Sequence, residues 1–165
     1  MTASHTFRQT NDTSMIKLRI PPPVYTLTFI ALMWLTHRHL PVAYWLETPW
    51  TTTGLIVMAV ALLPAFAAFR LFSRFQTTAN PRHPEKAQQL VTAGIFSYSR
   101  NPMYLSLLLV LTGWAIHLGS ITTLFFPPLF FWLVTTLQIK PEEEILQSVF
   151  GPSYERYQQA TRRWI

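Results

Sequence analysis

Residues 102–137 read PMYLSLLLVLTGWAIHLGSITTLFFPPLFFWLVTTL, a segment that is apolar almost throughout. A break at His117-Leu118-Gly119-Ser120 divides it into two runs of roughly 17 residues. With a rise of about 1.5 Å per residue, each run forms a helix of about 25 Å, just long enough to cross a bilayer. The segment therefore predicts a tight helical hairpin. Pro127-Pro128 is expected to kink its second arm and to free backbone carbonyls there.

Two further apolar stretches precede the hairpin. The first follows Pro21-Pro22-Pro23 and covers about residues 22–40, with Arg38 snorkelling at its far end. The second covers about residues 51–72 and contains Pro64, which a membrane helix tolerates. Residues 141–160 are polar and periodic and predict one further helix outside the membrane. The expected fold is an all-α, polytopic membrane protein with about four transmembrane helices, the last two a tight hairpin, plus a C-terminal cytoplasmic helix.

The composition agrees with a single membrane domain. Residues 1–20 are polar and mildly basic and are expected to form a flexible tail, which leaves residues 21–165 as one domain. No cleavable signal peptide is evident, because this tail lacks an apolar segment. Only 12% of residues are charged, about half the usual fraction of a soluble domain. The absence of cysteine excludes disulfides, thiolate metal sites and a cysteine nucleophile.

The basic charges predict the orientation of the four helices. With both termini on one side of the membrane, 12 of the 13 Lys and Arg residues fall on that side and only Arg38 on the other. The positive-inside rule then puts both termini in the cytoplasm, and the expected location is the bacterial inner membrane. Membrane lipids are the expected partners of these charges, and nucleic-acid binding is not needed to explain them. The residues on the cytoplasmic side are Arg8, Lys17, Arg19, Arg70, Arg74, Arg82, Lys86, Arg100, Lys140, Arg156, Arg162 and Arg163.

A first candidate site is the segment LVTAGIFSYSRNPMY at residues 90–104. Asn101 is a good N-cap and Pro102 a favoured first helical residue, so an arm of the hairpin is expected to begin here. The free N–H groups and positive dipole of a helix start favour an anion, and Arg100 adds a cation beside them. Gly94 permits a turn that other residues resist. The alternative is a capped membrane helix with an interfacial Arg and Tyr.

A second candidate site begins with KPEEEIL at residues 140–146. Three carboxylates in the first turn of a helix complement its dipole, and that role alone would explain them. Alternatively, the cluster holds a cationic group of a ligand at the cytoplasmic mouth of the hairpin, in a chain with only 7 acidic residues. The helical spacing of Ile145, Leu146, Val149 and Phe150 predicts that this helix packs against the membrane domain.

Other functional patterns are weak. His37 and His39 are two residues apart and point in different directions on a helix, so no metal site is expected. His117 falls at the hairpin tip, where a polar turn residue is the simpler interpretation. The chain contains no Gly-x-Gly, no P-loop and no G-x-S-x-G elbow, which argues against a Rossmann-type nucleotide site.

Together, the two segments resemble the isoprenylcysteine carboxyl methyltransferase and phospholipid methyltransferase superfamily. Its pattern runs Leu-Val-x-x-Gly-x-[Tyr/Phe], then Arg-[His/Asn]-Pro-x-Tyr, a hydrophobic hairpin, and Glu-Glu-x-x-Leu-x-x-x-Phe-Gly-x-x-Tyr-x-x-Tyr. The resemblance covers about residues 88–163. The matching residues are Leu90, Val91, Gly94, Phe96, Arg100, Asn101, Pro102, Tyr104, Glu142, Glu143, Leu146, Phe150, Gly151, Tyr154 and Tyr157.

The resemblance implies an enzyme that binds S-adenosylmethionine without a Rossmann domain. It implies a pocket between the hairpin, the loop before it and the C-terminal helix. Arg100 suits the carboxylate of the cofactor, whereas Glu142 and Glu143 suit its cationic parts. Glu143 or Tyr104 is the candidate base if the acceptor needs deprotonation. The implied cofactor contacts are Gln88, Gln89, Leu90, Val91, Phe96, Asn101, Pro102, Met103, Tyr104 and Glu142.

The acceptor side departs from the family. The eukaryotic prenylcysteine enzymes place an Arg four residues before the first Glu, where it meets the substrate carboxylate. Here Gln138 holds that position and Lys140 is the nearest cation. The expected acceptor is lipophilic: a phospholipid amine, a hydrophobic thiol or an isoprenoid-type carboxylate. Two alternatives stay open, an NADPH-dependent enzyme of the related sterol-reductase group and a catalytically inactive scaffold. The sequence does not indicate an oligomeric state.

Overall fold

A computed structural model describes residues 21–40, 42–75 and 90–165. These residues are all-α, as predicted, apart from an isolated bridge between Tyr44 and Ser120. The predicted tail 1–20 and the predicted contacts Gln88 and Gln89 lie outside the described residues. The α-helices are α1 (Pro22–His39), α2 (Thr53–Arg74), α3 (Pro102–Leu118), α4 (Phe126–Val134), α5 (Lys140–Phe150) and α6 (Pro152–Ala160).

Helices α2 and α3 pack backbone against backbone. The buried residues of α2 are Gly54, Ala61 and Ala68, one small residue every second turn on the same face. A Cβ on Gly54 would strike the carbonyl oxygen of Gly113, and a Cβ on Gly113 would come within 2.7 Å of the carbonyl oxygen of Gly54. Such a close approach is open only to small residues, as in other membrane helix pairs. The α2–α3 seam, defined by Gly54, Ala61, Ala68 and Gly113, therefore fixes the register of the two helices.

The proline inside α2 is accommodated by the neighbouring helix. Beside Pro64, the amide of Ala65 donates a hydrogen bond of 2.8 Å to the hydroxyl of Ser106 on α3. Ser106 is buried, so water does not compete for this hydrogen bond. A serine on an adjacent helix is one of the groups that satisfy the backbone near a proline in a membrane helix.

The predicted hairpin is present and its turn is tied to the loop that connects α1 with α2. Gly119 ends α3 in the left-handed conformation, with φ 65°. A Cβ there would strike the carbonyl oxygen of Leu46, so this position requires glycine. Two backbone bonds fasten the loop to the turn, Trp45 N–H to Gly119 O at 2.9 Å and Ile121 N–H to Ala43 O at 3.0 Å.

The second arm of the hairpin is not a regular α-helix: it contains a 3-10 turn, an α-helix and a π-helical turn. It begins as a 3-10 helix at Ile121–Phe125, and Pro127 and Pro128 lie in the first turn of α4. The two prolines therefore mark the change from 3-10 helix to α-helix, and both remove a backbone N–H donor there. A π-helical turn at Thr135–Ile139 then joins α4 directly to α5.

The predicted single helix over residues 141–160 is two helices. Gly151 adopts φ 50° and ψ −125° between α5 and α6, and Pro152 opens α6. A side chain at such a φ is strained, so the glycine permits a break that helical periodicity alone does not reveal. The prediction of one helix is therefore wrong at this residue.

The outward surface of α2 is apolar. Two helical stretches of the described chain, Trp50–Arg74 and Ile121–Phe150, are long and apolar enough to cross a membrane, and Pro102–Leu118 is a shorter apolar helix. Water would penalise so large an exposed apolar patch, whereas lipid would not. Its exposed members on α2 are Leu55, Ile56, Val60, Leu62, Leu63, Phe66 and Phe69.

The α2–α3 seam yields a direct test. Because a side chain at residue 54 meets backbone of α3, Gly54→Leu is expected to lower the free energy of unfolding by about 1–3 kcal/mol. Ala59→Leu adds a similar bulk to the exposed face of the same helix and is the matched control. Thermal unfolding in detergent measures both, and equal midpoints for the two variants would contradict the close packing.

Candidate functional site

The loop before α3 is held between α2 and α6. Its 3-10 turn, Gly94–Ser97, begins with Gly94 at φ 62°. The buried ring of Phe96 meets Phe72 of α2 edge-on, with centroids 5.1 Å apart. On the opposite side, the hydroxyl of Tyr157 on α6 donates a hydrogen bond of 2.7 Å to the carbonyl of Phe96. The loop is therefore fixed by elements that lie before and after it in sequence.

An apolar cluster joins the two segments singled out from the sequence. Its buried members are Ala68, Val91, Phe96, Tyr154 and Tyr157. Burial raises the pKa of both tyrosines above the usual value, so their hydroxyls stay neutral hydrogen-bonding groups. The partly buried residues packed against it include the predicted cofactor contacts Leu90 and Met103.

Asn101 lies at the predicted helix start but does not cap it. Its side-chain amide donates a hydrogen bond of 2.9 Å to the carbonyl of Arg163, and the described helix start has no side-chain cap. Next to it, the backbone N–H of Arg100 donates to the carbonyl of Arg162 at 3.1 Å. The prediction that the Asn101 side chain caps α3 is wrong, because this side chain fastens the C-terminal strap, residues 161–165, to the start of the helix.

Glu143 lies between two arginines. Arg163 binds it through two hydrogen bonds, Nε to Oε1 at 3.0 Å and Nη2 to Oε2 at 2.7 Å. Arg100 adds a contact of 3.1 Å from Nη2 to Oε1. The hydrogen bond with Glu143 raises the pKa of Arg163, so this group carries its charge throughout the physiological range. Sequence reasoning counted Arg163 only as a cytoplasmic charge, and no local spacing rule connects it to Glu143.

The acidic cluster does not serve a helix dipole. Ile139, the residue before α5, already has helical dihedral angles of −67° and −48°. The backbone N–H groups of Glu142 and Glu143 are therefore inside a continuous helix and not at a free helix start. The dipole interpretation therefore does not account for these carboxylates, and the binding of a cationic ligand group stays a prediction.

Glu142 has a different environment from Glu143. Its Oε2 accepts a hydrogen bond of 3.0 Å from the hydroxyl of Tyr104 on α3. Within residues 21–40, 42–75 and 90–165, no Lys, Arg or His lies within salt-bridge distance of it. A half-buried carboxylate without a cation beside it is a candidate contact for a cationic ligand group.

The two predicted acceptor contacts are separated. Gln138 is fully buried, and its Nε2 lies 3.5 Å from the hydroxyl of Tyr25 on α1. Lys140, two residues later, has an exposed side chain. The structure thus brings Gln138 but not Lys140 into the helix bundle.

Arg100 is a buried cation whose hydrogen bonding is incomplete. Its side chain is only 9% exposed, and Nη2 is bound to Glu143. Neither Nε nor Nη1 has a hydrogen-bond partner in the part of the chain that the structure describes. Leaving a buried donor unsatisfied costs about 1–3 kcal/mol, and more for a charged group. These two donors are suited to an anionic ligand group, which is the chemistry that the sequence pattern predicted for this position.

Comparison with known proteins places the chain in a family. The phospholipid methyltransferase family matches residues 49–153, which include the seam, the loop before α3 and α5. A protein of Schizosaccharomyces pombe named protein-S-isoprenylcysteine O-methyltransferase is 36% identical over 72 residues, 44% of this chain and 30% of that enzyme. An uncharacterized protein of Haemophilus influenzae is 43% identical over 63 residues, 38% of this chain and all of its own length. No solved structure matches.

The fold and the site define a helical protein with apolar, lipid-compatible surfaces and an ionic cluster at one end of its bundle. The family match covers more than half of the chain. The chain belongs to the phospholipid methyltransferase family, within the superfamily to which the yeast enzyme is also related.

The ionic cluster yields a stability prediction. Glu143→Gln leaves Arg100 and Arg163 side by side without their counter-charge and is expected to destabilise the protein by about 3 kcal/mol. Glu144→Gln removes the same charge from the exposed neighbouring residue and should change stability by less than about 0.5 kcal/mol. Thermal unfolding in detergent measures both. A Glu143→Gln midpoint equal to that of Glu144→Gln would contradict the assignment.

Proposed function

We propose that the protein transfers a methyl group from S-adenosylmethionine to a lipophilic acceptor at the cytoplasmic membrane face. The observation that carries the proposal is that Arg100 and Glu142, two charged residue types near the apolar cluster, are both incompletely bonded. Arg100 has two buried donors without a partner, and Glu142 has no cation in the described residues. The cofactor carries a carboxylate, an ammonium and a sulfonium, so its charges complement both groups.

The residues present fit the cofactor. The Nε and Nη1 donors of Arg100 suit its carboxylate, and Glu142 suits its ammonium or sulfonium. Met103, partly buried against the cluster that contains Val91 and Phe96, is the apolar contact proposed for the adenine ring. The predicted contacts Leu90, Asn101, Pro102 and Tyr104 belong to the same loop and helix start, and Gln88 and Gln89 remain predictions outside the described residues.

When bound, the cofactor supplies an activated methyl group on its sulfonium. The protein then has mainly to align the acceptor and exclude water, since positioning in a dry site contributes much of the rate in such displacements. The hydroxyl of Tyr104 orients Glu142 through the bond of 3.0 Å. Glu143 and Tyr104 stay the candidate bases, with Glu143 also holding its two arginines. These roles are assigned from position and chemistry.

The acceptor side favours an amine or a thiol over a carboxylate. Gln138 replaces the arginine that meets the substrate carboxylate in the prenylcysteine enzymes, and it is fully buried in the bundle. The two arginines of the ionic cluster, Arg100 and Arg163, both pair with Glu143. A carboxylate acceptor would therefore find no unpaired arginine within that cluster. Lipid-exposed faces of α2 and of the hairpin would admit the acceptor laterally from the bilayer.

The proposed placement is the inner membrane of a bacterium, with four crossings and both termini in the cytoplasm. Two long apolar helices and a shorter apolar one support three of the crossings, and α1, with 18 residues, is long enough for the fourth. The uneven distribution of Lys and Arg supports the orientation. Membrane lipids and the lipophilic acceptor are the proposed partners.

Ligand binding tests the proposed activity. Purified protein in detergent is expected to bind S-adenosylhomocysteine in a calorimetric titration. Glu142→Ala should weaken binding about 10- to 100-fold, because a hydrogen bond or ion pair to a charged group contributes about 1.5–3 kcal/mol. Glu144→Ala, the exposed neighbour, is the matched control and should bind as the wild type does.

Folded protein that binds neither S-adenosylmethionine nor S-adenosylhomocysteine would overturn the proposal. Binding of NADPH in its place would favour the sterol-reductase relationship. Transfer of a radiolabelled methyl group into a lipid extract then identifies the acceptor. Label in an amine headgroup or a thiol is expected. Label found only in base-labile esters would show a carboxylate acceptor and contradict the inference drawn from Gln138.

Topology reporters test the orientation. A reporter that is active only in the cytoplasm should give signal when fused after residue 165 and none when inserted near Pro49, in the loop between α1 and α2. The reverse pattern, or the same signal at both positions, would contradict the four-crossing layout.

A further inference from the structure

The C-terminal strap connects three parts of the molecule that are distant in sequence. Its backbone is bonded to the start of α3 through Arg100 N–H and the Asn101 amide. The ring of Trp164 lies against Phe131 of α4, with centroids 4.7 Å apart and planes inclined by 31°. The Arg163 side chain reaches Glu143 on α5. The family match ends at residue 153, so it does not extend to the strap.

The two arginines use Glu143 unequally. Arg163 occupies both carboxylate oxygens with a fork of two N–H groups, at 3.0 and 2.7 Å. Arg100 gives Glu143 one nitrogen, Nη2 at 3.1 Å, and keeps Nε and Nη1 unbonded in the described residues. A planar guanidinium facing an unshared carboxylate prefers the forked geometry, which would engage a second nitrogen of Arg100.

We propose that Arg163 is a positioning residue that keeps Arg100 available to an anionic ligand. By holding both oxygens of Glu143 in a forked ion pair, Arg163 leaves Arg100 a single contact with this carboxylate. The Nε and Nη1 donors of Arg100 would then be free to bind the carboxylate of the methyl donor. The inference rests on the proposed function, since the ligand is the one proposed there.

The strap itself does not depend on the Arg163 side chain. Its carbonyls at residues 162 and 163 accept bonds from the start of α3, and Trp164 packs on Phe131. None of these contacts uses the guanidinium of Arg163. A variant at this side chain should therefore retain the strap and change chiefly the ionic cluster.

Calorimetric titration with S-adenosylhomocysteine in detergent tests the inference. Arg163→Gln should raise the dissociation constant about tenfold or more. Arg162→Gln removes the same charge from the exposed preceding residue, whose side chain has no partner in the described ranges, and should stay within about twofold of wild type. Arg163→Lys retains the charge but not the fork, so its dissociation constant should be intermediate.

The double variant Glu143→Gln with Arg163→Gln separates positioning from a structural role. A neutral amide no longer competes for Arg100, so the double variant is expected to bind more tightly than Arg163→Gln alone, although it is less stable than wild type. A purely structural role predicts binding as weak as in the single variant, or weaker.

Three results would overturn the inference. They are wild-type affinity in Arg163→Gln, equal losses in Arg162→Gln and Arg163→Gln, and a double variant that binds no better than Arg163→Gln. If Arg163→Gln does not fold, the affinity of Arg163→Lys is measured in its place, and wild-type affinity in that variant would overturn the inference. A wild-type protein that binds no S-adenosylhomocysteine overturns the proposed function first, and this inference with it.

Discussion

The close approach of α2 and α3 is the constraint on which the rest of the molecule depends. Gly54, Ala61 and Ala68 present small surfaces at regular intervals, and Gly113 brings the backbone of α3 against them. In lipid, helices gain little from burying apolar side chains, so contact between backbones becomes a main source of packing energy. The seam also reaches the site, because Ala68 packs in the same cluster as Val91, Phe96 and Tyr157. A shift in the register of α2 would therefore move the loop that precedes α3.

The ionic cluster is the second organising feature, and its composition explains its arrangement. The ionic cluster has one buried carboxylate, Glu143, for two arginines, so the three side chains together carry an excess positive charge before any ligand binds. Desolvating charges is costly unless each is paired and hydrogen-bonded. Glu143 and Arg163 form a forked ion pair, and the N–H donors that lack a partner are on Arg100. An anionic ligand would remove this deficit, which links the stability of the cluster to occupancy of the site.

The site also shows how acidic neighbours acquire different roles. Glu142, Glu143 and Glu144 follow one another on α5, and helical geometry points them in three directions. Glu142 meets Tyr104 of α3, Glu143 meets the two arginines, and Glu144 is exposed. Glu144 is a control for the other two, since it has the same charge but no hydrogen bond or salt bridge to another side chain of the described residues.

The sequence by itself determined the helical class, the hairpin with its turn at Gly119 and the two segments that contain the candidate site. Apolar runs, glycine and motif spacing are local properties, and they survive in the fold because lipid-facing helices need no distant partner to form. Only the tertiary structure decided the role of each side chain. The bonds of Asn101 to Arg163, Tyr104 to Glu142 and Arg163 to Glu143 join residues 62, 38 and 20 positions apart. Helix capping by Asn101 and a dipole role for the glutamates were sound local expectations that such contacts replaced. A charged side chain at the edge of a membrane takes the partner that best offsets its desolvation, and that partner is chosen by packing.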